Sequence, residues 1–540
     1  MLFNSYIFIA GFLPAALLGY YLSAALDRRL ARVWLVLCSL TFYAWWNASF
    51  VLLLAGSITF NYGLSRLIDR VGDDRPGDQK LMLAIGVVVN LSLLFFYKYL
   101  FAVAVFFGLS HALPFGLSRG IILPLGISFF TFTQLGYVVD SSQGQVKQHG
   151  VLDYVLFVTF FPHLIAGPIL HNREIIPQFA KPETYRFRLE NLAVGLSIFA
   201  IGLGKKVLIA DPLGRGADAG FADPHVLTSY GAWQAVLSYT LQLYFDFSGY
   251  SDMAIGIARM FGIIFPLNFN SPYKSGSVID FWQRWHMTLT RYLTLYLFNP
   301  VAFAITRWRM AHGLGTGRRA ARSLGGFSSM MLLPLFFTMT LIGIWHGAGL
   351  QFVIFGLLHA TFLSINHAWR IFAPKNRAPR RRASRAALAV ASIGLTLAAV
   401  VLAQIFFRAA SPAAAVSMIK GMLGLHPVIS GRLTMPPPLF AKVRRVALWL
   451  GHPQLVALAH HTTELKRWLR IGTGFGIAWF LPNTQQIMVA FGPALESVKP
   501  FSVRAIQWRP NIRWGLLIAA LLLFSLCRLE NPSRFLYFQF

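Results

Sequence analysis

Residues 341–352 are LIGIWHGAGLQF, in which a single histidine, His346, lies between a tryptophan and a Gly-Ala-Gly sequence. They form the centre of residues 323–369, a run of 47 residues without Asp, Glu, Lys or Arg. Since about 20 apolar residues suffice for one transmembrane helix, this run is long enough for two. Gly347 and Gly349 predict the break between them, because glycine tolerates backbone conformations that end helices. We therefore expect His346 at the far end of a helical hairpin or at a break within the membrane.

The composition of the whole chain is that of a membrane protein. Of its 540 residues, 56% are hydrophobic and only 12% are charged, against about 25% charged in ordinary soluble proteins. Apolar runs recur along the length, so we predict an all-α, polytopic integral membrane protein with roughly 11–13 membrane helices, several of them short or re-entrant, around a central funnel. The first run, residues 3–25, is too long for a cleavable signal peptide and lacks a preceding positive charge. We interpret it as a retained first span.

The apolar runs predict individual spans, several of them interrupted by Gly or Pro. These spans are residues 3–25, 33–60 (one long run or two short helices), 81–107, 120–138, 151–169, 192–209, 232–245, 253–265, 292–305, two within 323–369, 386–407 and 514–526. Residues 1–408 are predicted to form a polytopic membrane core, and residues 513–540 a terminal membrane helix and tail. Between them, residues 409–512 are the longest weakly hydrophobic region, and we predict that they are extracytoplasmic and interfacial.

The net charge of +29 is carried largely by basic residues in short loops beside the apolar runs, most clearly in residues 307–322 and 375–385. Cytoplasmic loops of membrane proteins collect Lys and Arg, so we expect both loops inside the cell. Contact with anionic membrane lipid would use the same charges, and so would attraction of a phosphate-bearing substrate. None of these explanations needs a nucleic-acid partner, and we predict none.

The first polar stretch within this apolar background is LYFDFSGYSDMAIGIARMFG, residues 243–262. It contains Asp246 and Asp252. A carboxylate at membrane depth is costly unless it is paired or faces water, and this cost makes each aspartate a functional candidate. The alternatives are a structural ion pair or a helix cap, in which Ser251 or Asp252 accepts the first N–H groups of the next helix.

The second stretch is NFNSPYKSGSVIDFWQRWHMTLTRYL, residues 268–293. Asp280 followed by Gln283 resembles a capping box and predicts a helix start. The expected helix is interfacial and amphipathic, with an aromatic face made of Trp282, Trp285, His286 and Leu289. His286 on that face is either a core histidine with satisfied hydrogen bonds or a residue that positions a substrate.

Two further stretches contain histidines. In FFPHLIAGPILHNREIIPQF, residues 160–179, His163 and His171 flank a Gly-Pro break typical of a re-entrant loop, and structural roles are favoured for both. His346 has no nearby carboxylate and no second histidine at helical spacing. Zinc needs three or four convergent ligands, and His359 and His367 lie too far along the next helix to be obvious co-ligands. No metal site is predicted.

Taken together, these stretches resemble a known family, the membrane-bound O-acyltransferases, and within it the bacterial alginate O-acetyltransferase group. The resemblance rests on the ordered motifs GISFFTFTQLGYVVD, FFPHLIAGPI, YFDFSGYSDMAIGIARMFG, LNFNSPYKSGSVIDFWQRWHMTLTRYL, IGIWHGAGLQFVIFGLLHA and LPNTQQIM. The sequence departs from the group after Arg291, where many members continue with a YIPLGG-type segment. The family match implies that His346 is catalytic and that His286 is its companion.

The chemistry implied by this resemblance is the transfer of an acyl group from a thioester to an alcohol. His346 would be the general base, because an imidazole with an ordinary pKa near 6.5 can take the hydroxyl proton. His286 or Asn270 would orient the acceptor or stabilise the oxyanion. The expected substrate-binding residues are Trp345, Asn270, Trp282, Trp285, Asp246 and Asp252.

The same resemblance implies the partners. We expect acetyl-CoA or another acyl thioester as donor, no permanently bound cofactor, a secreted or cell-surface polysaccharide as acceptor, an extracytoplasmic acetyltransferase partner, and contact with lipid of the bacterial inner membrane. Two alternatives remain open at this point. One is the transfer of another acyl group, such as D-alanine to teichoic acid, and the other is a transporter without chemistry. A transporter would be expected to show inverted repeats, and we find none in the sequence.

Overall fold

The computed structural model describes residues 1–72, 75–109, 111, 121–146, 150–373, 382–426, 445, 454–529 and 535–536. Within these ranges the chain is helical. The first eleven helices are α1 (Ile7–Leu26), α2 (Arg28–Ala44), α3 (Ser49–Val71), α4 (Pro76–Lys98), α5 (Leu100–Phe106), α6 (Ile127–Ser142), α7 (Val151–Thr159), α8 (Phe161–Leu164), α9 (Asn172–Ala180), α10 (Leu189–Ala222) and α11 (Ser229–Met260). Those that follow are α12 (Val278–Trp282), α13 (Met287–Leu293), α14 (Asn299–Ala311), α15 (Leu324–His346), α16 (Leu350–Phe372), α17 (Arg382–Arg408), α18 (Pro412–Met422), α19 (Gln454–Phe480), α20 (Thr484–Ile487) and α21 (Ile512–Leu526).

Seven helices in the described ranges are long and apolar enough to cross a bilayer, namely α1, α3, α4, α10, α15, α16 and α17. This confirms the prediction of an all-α, polytopic membrane protein. Several other predicted spans correspond to shorter or more polar helices, and the run at residues 33–60 is divided between α2 and α3.

The predicted pair of spans at 232–245 and 253–265 is wrong. Residues Ser229–Met260 form one continuous helix of 32 residues, α11. Its N-cap is Thr228, so the alternative in which Ser251 or Asp252 caps a new helix is also wrong. Hydropathy alone divided the segment because its polar residues interrupt the apolar run, although a helix enclosed by protein tolerates such residues.

The crossing of α10 and α11 explains why the glycines of α11 do not end it. A Cβ added to Gly249 would lie 2.7 Å from the carbonyl oxygen of Gly202, and one added to Gly256 would lie 2.5 Å from that of Gly195. Small residues let two helix backbones approach closely. These glycines therefore serve helix packing.

The Gly-Pro stretch at residues 160–179 is buried and irregular. Helix α7 ends at Thr159, the single turn α8 follows, and the chain is then extended up to α9. His163 Nε2 lies 2.8 Å from the Phe157 carbonyl oxygen, and His171 Nε2 lies 3.1 Å from Asp140 Oδ2. Both contacts support the interpretation of these histidines as structural.

The described part of residues 409–512 packs against the membrane helices as part of one core. Gln234 Nε2 of α11 donates to Glu464 Oε2 of α19 at 2.9 Å, and a Cβ added to Gly474 would lie 2.8 Å from the Leu241 side chain. The predicted boundary at residue 409 therefore has no counterpart in the packing of these helices. Its extracytoplasmic location stays a prediction.

Candidate active site

The hairpin that contains His346 has the predicted break. Helix α15 ends at His346, α16 begins at Leu350, and Gly347 and Gly349 lie between them. The two helices pack with almost no space, because a Cβ added to Gly343 would lie 2.2 Å from the Phe352 carbonyl oxygen. This tight crossing sets the position of His346 relative to α16.

Residues at the end of α4 hold the end of α15. Tyr99 Oη donates to the Ile344 carbonyl oxygen at 2.7 Å, and Lys98 Nζ donates to that of Trp345. The last carbonyl groups of a helix have no partner within the helix, and a cation is favourable at that end. Lys98 thus positions the backbone that leads into His346. Lys98 was not among the predicted site residues, although a lysine at the C-terminal end of an apolar helix could have indicated this role.

The His346 side chain is enclosed by aromatic rings. Its exposed fraction is 4%. Its ring centroid lies 4.6 Å from Trp345, 4.7 Å from Phe407 and 5.7 Å from Phe355. Trp345 also stacks on Phe132 at 5.3 Å, and it is not among the residues that line the cavity next to His346. Trp345 therefore packs against the His346 ring, and this position does not support the predicted contact between Trp345 and a substrate.

The segment around His286 differs from the prediction. Instead of one interfacial helix, α12 ends at Trp282, α13 begins at Met287, and His286 between them has a left-handed backbone with φ of 43°. Ser277, not Asp280, caps α12 by accepting from the Asp280 N–H. The two tryptophans of the segment, Trp282 and Trp285, are buried with His286. The left-handed residue interrupts the predicted helix, although Trp282, Trp285, His286 and Leu289 of the predicted aromatic face all line one cavity.

Asn268 orients His286. His286 Nδ1 lies 3.0 Å from Asn268 Oδ1, and Thr288 Oγ1 donates to the same oxygen at 2.9 Å. The Asn268 amide nitrogen donates to Ser251 Oγ at 3.0 Å. Because Asn268 Oδ1 is an acceptor, the neutral His286 ring carries its proton on Nδ1, and its Nε2 has the lone pair.

Asn270, the predicted partner, lies elsewhere. Its side-chain oxygen accepts from Asn483 Nδ2 at 2.9 Å, in the turn before α20 that belongs to the LPNTQQIM motif. Asparagines 268 and 270 are two residues apart in an extended segment and point to different partners. The choice between them could not be made from the sequence.

His359, which the sequence suggested only as an unlikely metal ligand, lies at this site. It is buried, its Nδ1 accepts from Trp282 Nε1 at 3.2 Å, and its ring centroid lies 4.7 Å from that of Phe355. Phe355 and His359 are one turn apart on α16, so they share a face. That apolar face with one histidine was the signal that could have identified it.

A small cavity of about 30 Å³ joins these side chains, with room for about one water molecule. It brings together His346 and His359, from the two helices of the hairpin, with His286 and two of the predicted tryptophans from an earlier segment. The lining residues are Leu243, Phe281, Trp282, Trp285, His286, Leu289, His346, Phe355, His359, Val400, Gln404 and Phe407.

Asp246 and Asp252 lie outside this cavity. Asp246 Oδ1 is 2.6 Å from Lys206 Nζ, and Asp252 Oδ2 is 2.5 Å from Lys205 Nζ. Asp252 also accepts from Thr484 Oγ1 at 2.6 Å. These contacts support the alternative of structural ion pairs over the predicted substrate contacts.

Comparison with known proteins agrees with this architecture. Residues 123–311 match the sequence model of the MBOAT, or membrane-bound O-acyltransferase, family. A protein of Helicobacter pylori named peptidoglycan O-acetyltransferase is 40% identical over 456 residues, which cover 79% of this chain and 81% of that protein. The chain belongs to the membrane-bound O-acyltransferase family. The resemblance seen in the motifs is thereby confirmed, and this multi-pass membrane protein is an acyltransferase.

Other relatives of this acyltransferase differ in their named acceptor. A Pseudomonas aeruginosa protein named probable alginate O-acetylase AlgI is 39% identical over 388 residues, or 70% of this chain and 68% of that protein. A Bacillus subtilis protein named teichoic acid D-alanyltransferase is 30% identical over 257 residues, or 47% of this chain and 62% of that protein.

In the described part of the chain, no group of three or more His, Cys, Asp or Glu side chains could hold a metal ion. His286, His346 and His359 line one cavity. Trp282 Nε1 donates to His359 Nδ1, and His286 Nδ1 donates to Asn268 Oδ1, so two of the three rings have a hydrogen bond that fixes which nitrogen carries the proton.

Proposed function

We propose that this protein transfers an acetyl group from a cytosolic thioester, such as acetyl-CoA, for O-acetylation of a secreted or cell-surface polysaccharide at the bacterial inner membrane. The observation that carries the proposal is the cavity lined by His346, His286 and His359 at the end of the membrane-length helix α15. The named acceptors of two relatives, peptidoglycan and alginate, support a polysaccharide.

His346 is the proposed general base. The acceptor hydroxyl oxygen attacks the thioester carbonyl carbon while its proton passes to the imidazole, and the C–S bond breaks as the thiolate leaves and recovers a proton. His286, held by Asn268, presents its second ring nitrogen to the acceptor and positions it. His359 carries its proton on Nε2, because its Nδ1 accepts from Trp282, and this N–H can stabilise the developing oxyanion.

Both substrates must reach a cavity that holds only about one water molecule. We infer that the aromatic side chains around His346 move apart when donor and acceptor bind. The basic residues 307–322 include the last residues of α14 and the segment that leads to α15, and His346 lies at the other end of α15. This arrangement suits a donor that approaches from the cytoplasm and an acceptor, or an extracytoplasmic partner enzyme, that approaches from outside.

A second candidate is the transfer of D-alanine to teichoic acid. The observation that favours it is the similarity to the Bacillus subtilis D-alanyltransferase, which spans about half of this chain. An assay of membranes with acetyl and D-alanyl donors separates the two reactions.

The experiment that tests the proposal measures alkali-releasable acetate on surface and secreted polysaccharides. Cells carrying wild type, a deletion, His346→Ala or His312→Ala are compared at matched protein level. His312 is an exposed histidine whose ring bonds only within its own helix turn, so it is the matched control. We expect the deletion and His346→Ala to lose ester acetate and His312→Ala to retain it. Unchanged ester acetate in the deletion would refute polysaccharide acetylation, and unchanged acetate in His346→Ala alone would refute the role of His346.

A further inference from the structure

A second cluster of polar side chains lies away from the candidate active site, where α18 packs against the loop between α10 and α11. Ser417 of α18 is buried, and its Oγ lies 2.9 Å from His225 Nδ1 and 3.2 Å from His426 Nε2. A hydroxyl between two imidazoles is the arrangement that activates serine nucleophiles, in which the base lies within hydrogen-bond reach and is itself oriented by a third group.

The third group is the backbone carbonyl of Leu227. His426 Nδ1 lies 3.0 Å from this oxygen, which can only accept, so the neutral ring carries its proton on Nδ1 and the lone pair on Nε2. The Ser417 hydroxyl therefore donates to His426. A Cβ added to Gly421 would lie 3.2 Å from the His426 ring, so the ring packs directly on the α18 backbone and cannot rotate freely.

His225 completes the hydrogen bonds of the hydroxyl. The Ser417 hydroxyl donates its proton to His426. The His225 Nδ1–H therefore donates to the Ser417 oxygen. A donor at this position stabilises negative charge that develops on the oxygen as its proton leaves.

The cluster opens into a surface cavity of about 650 Å³. Its walls combine apolar side chains with the ammonium group of Lys420, which follows Ser417 by one helical turn. His225 and Lys420 are exposed, so a substrate can approach without disturbing the membrane helices. The lysine is placed to attract the oxyanion of a tetrahedral intermediate.

We propose that Ser417 is a nucleophile that accepts small acyl groups from activated esters or thioesters, with His426 as its general base. The serine oxygen attacks the acyl carbonyl carbon, and its proton passes to His426 Nε2. The C–O or C–S bond of the donor breaks, the leaving alcohol or thiol takes that proton, and an acyl ester of Ser417 remains. Attack by water or an acceptor hydroxyl reverses these steps and releases the acyl group. This activity does not depend on His346.

The test exposes the purified full-length protein in detergent to p-nitrophenyl acetate and quantifies acetyl-serine by peptide mass spectrometry. The variants are Ser417→Ala, His426→Gln and, as a control, His312→Ala. Ser364 is the internal control, because it is also buried in a helix but its hydroxyl donates to the carbonyl of Ala360. We expect acetyl on Ser417 well above Ser364, loss of this acetyl in Ser417→Ala, a rate about 100-fold lower in His426→Gln, and no change in His312→Ala.

Equal acetylation of Ser417 and Ser364 in the wild-type protein would overturn the proposal, and so would an unchanged rate in His426→Gln.

Discussion

At the scale of single residues, the orientation of His286 in the candidate site depends on Asn268, a residue that neither hydropathy nor helical spacing identifies. It is fully buried and joins His286, Thr288 and Ser251 through its side-chain amide. The contact with His286 decides which ring nitrogen carries the proton, and therefore which nitrogen can meet a substrate hydroxyl.

We predict that Asn268→Leu lowers polysaccharide ester acetate by about 100-fold at matched protein level, the loss expected when a positioning group is displaced by about 1 Å. Leucine has nearly the same volume but cannot accept from the His286 ring, so the ring loses its orientation. Asn270→Leu is the matched control, since its side chain bonds to Asn483 instead. Equal losses in the two variants would contradict the assignment of Asn268 as the residue that positions His286.

At the scale of secondary-structure elements, the hairpin of α15 and α16 carries two of the three histidines of the cavity. Its two helices touch through glycines, with Gly356 facing the carbonyl of Met339 in the same way as Gly343 faces that of Phe352. The residues of α4 bind the last carbonyls of α15. The position of His346 thus depends on three helices, and small changes in their separation should affect catalysis.

Gly343→Ala is expected to destabilise the hairpin by about 1–3 kcal/mol, the usual cost of overpacking, because its Cβ would lie 2.2 Å from a backbone oxygen. Thermal unfolding in detergent, together with acetyl transfer by the same samples, measures the effect. Gly325→Ala in α15 is the control, since a Cβ there meets no atom within 4 Å. If both variants unfold at the wild-type temperature and stay active, the hairpin is not tightly packed at Gly343.

At the scale of the whole molecule, a buried ion-pair network connects parts of the chain that are far apart in the sequence. Lys206 of α10 pairs with Asp246 of α11, and Asp246 also accepts from the backbone N–H of Leu536 at 2.9 Å. Asp252 binds Lys205 and Thr484. The two aspartates therefore connect α10, α11, α20 and the end of the chain.

We predict that Lys206→Met destabilises the protein by about 3–5 kcal/mol, because it removes a partner from a buried carboxylate. The double variant Lys206→Met/Asp246→Leu should recover much of this loss, since it removes the buried charge as well. Arg284→Met breaks the exposed pair with Asp280 and should cost less than about 1 kcal/mol. The measurement is the unfolding midpoint in detergent. A Lys206→Met protein as stable as Arg284→Met would show that the network does not hold the fold together.

The sequence was most informative where a feature depends on neighbouring residues. The break at Gly347 and Gly349, the membrane-length helices and the family motifs were all predicted, because hydropathy and glycine act locally along the chain. Predictions failed where the contact partner of a residue lies in a distant segment of the chain. The single helix through His286 was wrong, and Asn268 and His359 were not identified as site residues, because these features depend on contacts with distant segments.

By itself, the sequence determined that this protein is an all-α, polytopic membrane protein of the O-acyltransferase family, with His346 at a break between two spans. Only the tertiary structure decided which side chains share the cavity with His346, and that Asp246 and Asp252 belong to ion pairs. The reason is physical. The spacing of apolar residues indicates which surface of each helix is buried. The partners of buried polar groups depend instead on where helices cross and on the left-handed backbone of His286, because both bring together residues that are far apart in the chain.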